Sequence, residues 1–320
     1  MVGKLTPNTE LSCSRLPAVM GYSPWATAND ELAITVDAML GVERQWNGNE
    51  TTDWGNTLEP IILETAASRL GLELEIPTVP FPAPKGVALN ASVDGIVRPT
   101  GEVFTLVTDP ARGIYVIGAD QVTIDGPGIL ESKLTSSPPE AEPAAYRGPI
   151  QIQGCMLCTG CSWGAVAVLY RGIELRIFVY PRNEDLIAEI IKTVADFEFR
   201  KRGPEWYPPV NRADAVKVWG RGEDDAPPIP LPDEAGNVVA DLLDAKERIE
   251  RDEAIVEAAS TAIMEMMGNH TQAHVTLPDG DAYRIKWPMR RYKAQPEKVT
   301  PAKAAYEIRL KSLDIKAISG

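Results

Sequence analysis

Two short stretches decide the fold of this chain, and they read Val93-Asp94-Gly95-Ile96 and Gly128-Ile129-Leu130-Glu131-Ser132-Lys133-Leu134. Each is an apolar run of strand length that carries charged side chains, and this pattern predicts two β-strands. Because alternate residues of a strand face the same side, Glu131 and Lys133 are expected to project together. The sequence therefore predicts a pocket that holds a carboxylate and an amine.

Three carboxylates and one lysine make up the candidate site. Glu59 lies upstream on a predicted helix and joins Asp94, Glu131 and Lys133. Carboxylate oxygens are the ligands that Mg2+ and Mn2+ prefer, and one or two such ions can stabilise the charge that develops during phosphodiester hydrolysis. Lys133 could orient or deprotonate the attacking water. The set is typical of metal-dependent nucleases, although Asp with Glu-x-Lys alone is a weak signal.

Further motifs occur around these residues. In chain order they are Leu11-Ser12-Cys13-Ser14-Arg15, Gly21-Tyr22-Ser23-Pro24-Trp25, Trp54-Gly55, Glu59-Pro60, Ala91-Ser92-Val93-Asp94-Gly95, Glu131-Ser132-Lys133 and Gln151-Ile152-Gln153-Gly154. From about Leu11 to Phe199 the series resembles the YqaJ-type viral recombinases, relatives of phage lambda exonuclease in the PD-(D/E)xK nuclease superfamily. Several motifs in one order are more specific than any of them alone.

The resemblance implies roles for the residues that match the family's motifs. The resemblance implies that the metal-binding acids are Glu59, Asp94 and Glu131. It also implies that Lys133 is the catalytic lysine. A further catalytic glutamine, on the next helix, matches either Gln151 or Gln153, and the sequence leaves this choice open.

The same resemblance indicates how the end of a DNA strand is held. It places Ser14 near a 5'-phosphate pocket, and Arg15 is a candidate phosphate clamp because a guanidinium presents a planar fork of donors. Lambda exonuclease carries an additional arginine before this serine, whereas the stretch here reads Lys4-Leu5-Thr6-Pro7-Asn8-Thr9-Glu10. Dependence on a 5'-phosphate therefore stays open.

The activity that the resemblance implies is resection of linear double-stranded DNA from 5' to 3', which leaves 3' single-strand overhangs for a single-strand annealing protein. It also implies a homo-oligomer, a ring-shaped trimer through which DNA threads. Two other functions use the same features. A structure-specific or restriction-like endonuclease needs the same acids, and a non-catalytic DNA-binding recombination scaffold would have no need of the lysine.

The fold that the resemblance implies is α/β (α+β), with a restriction-endonuclease-like core in which helices flank a mixed central sheet. We expect this core in residues 1–203, with an inserted hairpin at about 98–128, where the family has a short connection. Within it, Thr57 is expected to cap a helix that runs to Leu70 and ends at Gly71.

The rest of the chain differs in composition. Prolines and acids at 204–236 predict a linker or a meandering loop, and 237–320 is expected to hold a long helix, a β-hairpin and a basic tail. Leu242, Ile249, Val256 and Ile263 recur every seven residues, which indicates the helix.

Net charge is distributed unevenly along the chain. The total is −13, but residues 282–320 contain ten Lys and Arg against three Asp and Glu, a surplus of +7 that leaves −20 for the rest. In this tail Trp287 and Tyr292 interleave with the basic residues Lys286, Arg290, Arg291, Lys293, Lys298 and Lys303. The segment is expected either to contact DNA or to be a solvated or subunit-docking extension.

Targeting signals are lacking in the sequence. No apolar stretch is long enough to span a bilayer, and the N-terminus lacks the charged and apolar pattern of a signal peptide. We expect no membrane partner and a cytoplasmic location in a phage-infected bacterial host.

Histidine and cysteine give two further hypotheses. Only His270 and His274 occur, both late in the chain, which disfavours a histidine base or a His-rich zinc site. A [4Fe-4S] cluster is an alternative with one early and three later thiols, and its ligands would be Cys13, Cys155, Cys158 and Cys161. Buried thiols are common core residues in reducing compartments, and we favour that interpretation.

Overall fold

A computed structural model describes residues 6–42, 48–203, 205–219, 229–292, 306–309 and 314–317. The chain divides into two compact units, Met1–Asp224 and Asp225–Gly320, which are described separately. From residue 291 onward only the backbone is described.

A mixed six-stranded sheet forms the centre of the first unit. Its order is β2-β5-β9-β10-β11-β7. These strands are β2 (Leu72–Glu75), β5 (Gly95–Pro99), β7 (Ile114–Val116), β9 (Gly128–Thr135), β10 (Trp163–Tyr170) and β11 (Glu174–Pro181). The pairs β9–β10 and β11–β7 are parallel, and the other pairs are antiparallel. The predicted mixed sheet is confirmed.

Helices cover both faces of this sheet, and each face has its own apolar core. The helices of this unit are α1 (Leu16–Val19), α2 (Ala28–Met39), α3 (Glu50–Leu70), α4 (Pro149–Thr159), α5 (Glu184–Arg202) and α6 (Arg212–Trp219). Core residues of α1, α2, α4 and α5 pack with Ile129 of β9, whereas those of α3 pack with Leu130. Adjacent residues of one strand thus reach opposite cores.

A smaller sheet supports the N-terminal segment. In it β1 (Leu11–Ser12) pairs in parallel with β4 (Leu89–Ala91), which also pairs with β3 (Phe81–Pro82). A 3-10 helix, Cys13–Arg15, follows β1 directly.

The helix that carries Glu59 begins earlier than predicted. Asn49 caps α3 by accepting a hydrogen bond from the amide of Thr52 (2.9 Å), so Thr57 is an interior residue and Pro60 lies well inside the helix. The Thr57 hydroxyl donates instead to the carbonyl of Asp53 (2.8 Å). Gly71 ends the helix with a φ of 75°, as predicted, because glycine adopts this conformation without steric cost.

The predicted insertion is more than a hairpin. Strands β6 (Phe104–Val107) and β8 (Gln121–Ile124) pair antiparallel as a separate ribbon. The strand between them in sequence, β7, is not part of this ribbon. It pairs with β11 at the edge of the central sheet. The alternating pattern of β7 is compatible with pairing in the ribbon and with pairing in the central sheet, so the sequence did not predict which of the two forms.

Part of the stretch predicted as a linker folds against α2. Asp214 of α6 is 1% exposed and accepts hydrogen bonds from the Thr27 hydroxyl (2.7 Å) and the Asn29 amide (2.8 Å). Lys217 of α6 forms an ion pair with Asp30. These polar contacts over a long sequence separation attach α6 to the first unit, which a prediction from proline content could not detect.

The second unit contains a long helix and short antiparallel sheets. They are α7 (Ala235–Met267), β12 (Gln272–Thr276), β13 (Ala282–Lys286), β14 (Met289–Tyr292), β15 (Tyr306–Arg309) and β16 (Asp314–Ala317). The predicted hairpin forms from β12 and β13, and β16 pairs with β13. Every helix in the described part of the chain is too short or too polar to cross a lipid bilayer.

Replacing Asp214 tests the attachment of α6. Asp214→Ala removes an acceptor of the buried Asn29 amide and one of the two acceptors of the Thr27 hydroxyl, and loss of a partner costs about 1–3 kcal/mol for a buried group. We expect a lower urea midpoint and loss of trypsin protection in 205–219. The exposed Glu102→Ala is the control, and equal stability of the two variants would contradict the structural role of Asp214.

Candidate functional site

Strand register brings Asp94 and Glu131 together. Gly95 of β5 pairs with Leu130 of β9 in an antiparallel ladder, so the residue before Gly95 lies beside Glu131. The Asp94 carboxylate accepts a hydrogen bond from the backbone amide of Ser132 (Oδ2 to N, 2.8 Å). This amide fixes the position of Asp94 at the start of β5.

Glu131 is the buried centre of the cluster. Its side chain is 3% exposed, and its Oε1 accepts hydrogen bonds from Lys133 Nζ (2.7 Å) and Gln151 Nε2 (2.5 Å). Among the described residues, its buried Oε2 has no hydrogen-bond partner. The predicted projection of Glu131 and Lys133 from one face of the strand is the arrangement found.

Close contact between α4 and the sheet brings the glutamine to Glu131. Gly148, at the start of the helix, has a φ of 137°, and a Cβ there would lie 2.7 Å from a methyl group of Val166. Only glycine fits this position. Gln151 follows in the first turn and contacts Glu131, whereas Gln153 donates to the Pro181 carbonyl and accepts from the Asn183 amide (both 2.9 Å). Gln151 is therefore the glutamine of the cluster.

Glu59 reaches the cluster from the other side of the sheet, on α3. Its carboxyl is half-buried, and burial together with the negative charge of Asp94 raises its pKa, while Lys133 lowers it. Four of the residues predicted for catalysis therefore act electrostatically on one another: Glu59, Asp94, Glu131 and Lys133.

Burial and like charge dominate the titration of Glu131. Burial first, and then the neighbouring Asp94 carboxylate, raise the pKa of Glu131 to about 8, against the opposing charge of Lys133. Burial disfavours the Lys133 ammonium, but the charges of Glu131 and Asp94 outweigh it and raise the pKa of Lys133. In this state Lys133 is a proton donor and a positive charge rather than a base.

The donor set suits a hard divalent cation. Within the described residues, no group of three or more His, Cys, Asp and Glu side chains is arranged as a ready metal site. Glu131 Oε2 is nevertheless a buried acceptor without a donor, and the adjacent Asp94 makes its ionisation unfavourable. A cation would relieve both conditions, so the carboxylates fit Mg2+ or Mn2+.

Arg15 is used inside the protein. The side chain is 8% exposed, and its guanidinium donates to the Glu31 carboxylate (2.5 Å), the Glu31 carbonyl (2.6 Å) and the Thr35 hydroxyl (2.7 Å). The remaining donors contact the carbonyls of Asn8 and Glu10. All five N–H groups are occupied, so this geometry favours a structural role over the predicted phosphate clamp.

Ser14 remains accessible. It is exposed on the 3-10 helix, and its hydroxyl lies 3.0 Å from that of Ser12. The structure leaves it free to meet a ligand from solvent, without a described contact to the acids.

Three cysteines gather behind the acidic cluster. The Sγ atoms of Cys13 and Cys158 are 3.9 Å apart, and hydrogen bonds join Cys13 to both Cys155 and Cys158. Burial raises the pKa of the Cys13 thiol. Cys161 is buried as well, and all four thiols are free. Their arrangement supports the interpretation as core residues.

Two contacts of the site had no signal in the sequence. The Ser132 amide that holds Asp94 is a backbone group, so no residue type in the sequence indicates this hydrogen bond. Cys155 lies one turn beyond Gln151. A hydrogen bond with Cys13 lowers the pKa of Cys155, but burial and the charge of Glu131 outweigh it and raise the pKa.

The residues predicted for a DNA-contacting tail lie in the second unit. Lys286 ends β13 and Arg290 lies in β14. Arg291 is described by its backbone alone, and Lys293 lies outside the described residues.

Comparison with known proteins identifies one domain. The model of the YqaJ-like viral recombinase domain matches residues 8–162. The chain is similar to LHK-Exo, an alkaline exonuclease from Laribacter hongkongensis solved in complex with dAMP, at 18% identity and a TM-score of 0.46 over 61% of this chain and 89% of that one. It is similar to a phage related exonuclease from Haemophilus somnus 129PT at 16% identity and a TM-score of 0.41, over 61% and 94%. Both structural similarities are too low to transfer residues or activities. No curated protein sequence matches.

The raised pKa of Glu131 predicts a pH dependence of stability. Without divalent ions the folded carboxyl keeps its proton up to about pH 8, whereas the unfolded one loses it near 4.5, so the folded state binds more protons between these values. The free energy of unfolding should therefore fall as pH rises through this window. Glu131→Gln should remove this component of the fall.

Urea unfolding in EDTA at pH 5.5 and 8 checks this expectation. The exposed Glu102→Gln is the matched control and should keep the wild-type dependence. An identical pH dependence in Glu131→Gln and wild type would show that Glu131 does not titrate in this range.

Proposed function

We propose that this protein is a metal-dependent deoxyribonuclease, because residues 8–162 match the model of the YqaJ-like viral recombinase domain. It hydrolyses linear double-stranded DNA from the 5' end towards the 3' end and leaves 3' single-strand overhangs. The observation that carries the proposal is the buried, unpartnered oxygen of Glu131 beside Asp94, with the Lys133 ammonium on the other oxygen.

The carboxylates provide the cation site. Asp94 and Glu131 would hold one or two Mg2+ or Mn2+ ions, with Glu59 contributing from α3. When bound, such an ion supplies positive charge that activates water and stabilises the phosphoryl oxygens. The Ser132 amide keeps Asp94 in place, so that no reorganisation is needed when DNA arrives.

Lys133 and Gln151 serve different purposes around Glu131. The Lys133 ammonium donates one hydrogen bond to Glu131 and has two further protons, with which it can orient the attacking water or neutralise a phosphoryl oxygen. Hydrolysis joins the water oxygen to phosphorus, breaks the bond to the leaving oxygen and returns a proton to that oxygen. Gln151 orients the Glu131 carboxylate and is a positioning residue.

Several finer features rest on the family alone. We propose that the overhangs serve a single-strand annealing protein, that the enzyme is a homo-oligomer such as a ring-shaped trimer, and that it acts in the cytoplasm of a phage-infected bacterium. Arg15 has no unoccupied donor, so binding of a 5'-phosphate would depend on Ser14 and on groups other than this guanidinium.

A digestion time course tests activity and polarity together. Linear duplexes labelled at either 5' or 3' ends are incubated with Mg2+ beside covalently closed circles. We expect early loss of the 5' label, intact circles, and at least ~100-fold slower hydrolysis by Lys133→Ala, since a positioned proton donor contributes ~10²–10⁴-fold. The exposed Lys192→Ala should behave as wild type.

Each alternative function gives a different result in this assay. Cleaved circles would indicate an endonuclease. A wild-type protein that binds DNA but cuts none of these substrates would indicate a scaffold, and unchanged activity of Lys133→Ala would overturn the site.

The two glutamines give a paired test of the cluster. Gln151→Ala should lower kcat or Mg2+ affinity by roughly 10–100-fold with little change in Tm, as expected for a group that orients a metal ligand. Gln153→Ala should lower Tm, because it loses contacts between α4 and the start of α5, and should leave kcat near the wild-type value. The reverse pattern would exchange their roles.

A further inference from the structure

A basic face lies on the hairpin of the second unit. The register pairs His274 with Arg284 and Gln272 with Lys286, so these four side chains occupy one face of β12 and β13. Thr276 and Ala282 complete this face, which contains no acidic residue in either strand. We call His274, Arg284 and Lys286 the hairpin basic face.

The opposite face of the same hairpin is apolar. Ile285 is 6% exposed there, and Ala273 and Tyr283 are partly buried. His274 and Arg284, in contrast, are exposed. The hairpin therefore has one largely apolar face and one basic face, on which His274 and Arg284 are exposed and Lys286 is partly exposed.

Arg284 and Lys286 of this face form no ion pair with a side chain that the structure describes. The third strand, β16, pairs Arg284 with Lys316 and Lys286 with Asp314, described by backbone only.

Arg284 and Lys286 of this face are two of the ten basic residues in the segment 282–320. Residues 282–320 carry a surplus of +7, whereas the remainder carries −20 and repels nucleic acid. Arg and Lys side chains that face solvent from a strand can contact successive phosphates without reading the bases. A solvated surface would not require so uneven a separation of charge.

We propose that the hairpin basic face is a second DNA-binding site, which contacts the phosphate backbone outside the domain formed by residues 8–162. Its ligand is duplex DNA, bound without sequence preference. The site deepens the proposed function, because its ligand is the substrate of that function. It would retain DNA on the enzyme during repeated hydrolysis, while the acidic surface elsewhere limits other contacts.

Charge reversal on the hairpin tests the site. Binding of a fluorescent 30-bp duplex to the full-length protein is measured by anisotropy in EDTA over a series of salt concentrations. The Arg284→Glu/Lys286→Glu variant should raise Kd at least ~10-fold, and loss of two phosphate contacts should reduce the slope of log K against log salt by about 1.8.

A matched variant separates local contact from net charge. Lys246→Glu/Arg248→Glu makes the same change in charge on exposed positions of α7, in the same unit, and should keep the wild-type Kd and salt slope. Arg284→Gln/Lys286→Gln, which avoids new negative charge, should give a smaller loss of affinity. Equal Kd values for the hairpin and α7 variants would overturn the proposal, as would a hairpin variant that keeps wild-type affinity.

Hydrolysis distinguishes this site from the nuclease site. With Mg2+ and saturating DNA the hairpin variant should keep kcat near wild type and show a raised KM. A wild-type protein that binds through the hairpin but never hydrolyses DNA would retain the inference and remove the proposed function. An active enzyme whose DNA affinity is unchanged in the Arg284→Glu/Lys286→Glu variant would retain the proposed function and remove the inference. Selective loss of binding to an acidic protein rather than to DNA would also contradict the proposal.

Discussion

Glu131 brings a carboxylate into the interior of the protein, and the arrangement around it compensates for this burial. Ionising a buried acid beside Asp94 is unfavourable, as the raised pKa of Glu131 reflects. Lys133 and Gln151 satisfy one oxygen, and the other is left without a partner. The site thus stores an unfavourable arrangement that a bound cation would relieve, which is a common property of functional sites.

The central sheet is organised so that this cluster can form. Successive residues of β9 lie on opposite faces of the sheet, so that Ile129 packs in one apolar core and Leu130 in the other. The strand is therefore packed on both sides. On the first face α4 approaches closely enough to require Gly148, and this approach brings Gln151 to Glu131. From the second face α3 brings Glu59. The acids therefore meet at a sheet held rigidly on both sides.

The hairpin of the second unit differs from the central sheet, because only one of its faces is apolar. Ile285 is buried on that face, while Arg284 and Lys286 lie on the other face. An acidic chain gains selectivity from such a division, because attraction for DNA is confined to a few positions. Catalysis and retention of the substrate would then belong to separate parts of the chain.

The sequence by itself determined the local features. Strand alternation predicted that Glu131 and Lys133 share a face, and the β-hairpin expected within 237–320 also forms, because both features depend on neighbours in the chain. Only the tertiary structure decided that Gln151 rather than Gln153 joins the site, that the donors of Arg15 are used internally, and that β7 leaves its hairpin for the sheet. These outcomes depend on partners distant in sequence, whose geometry no local pattern records.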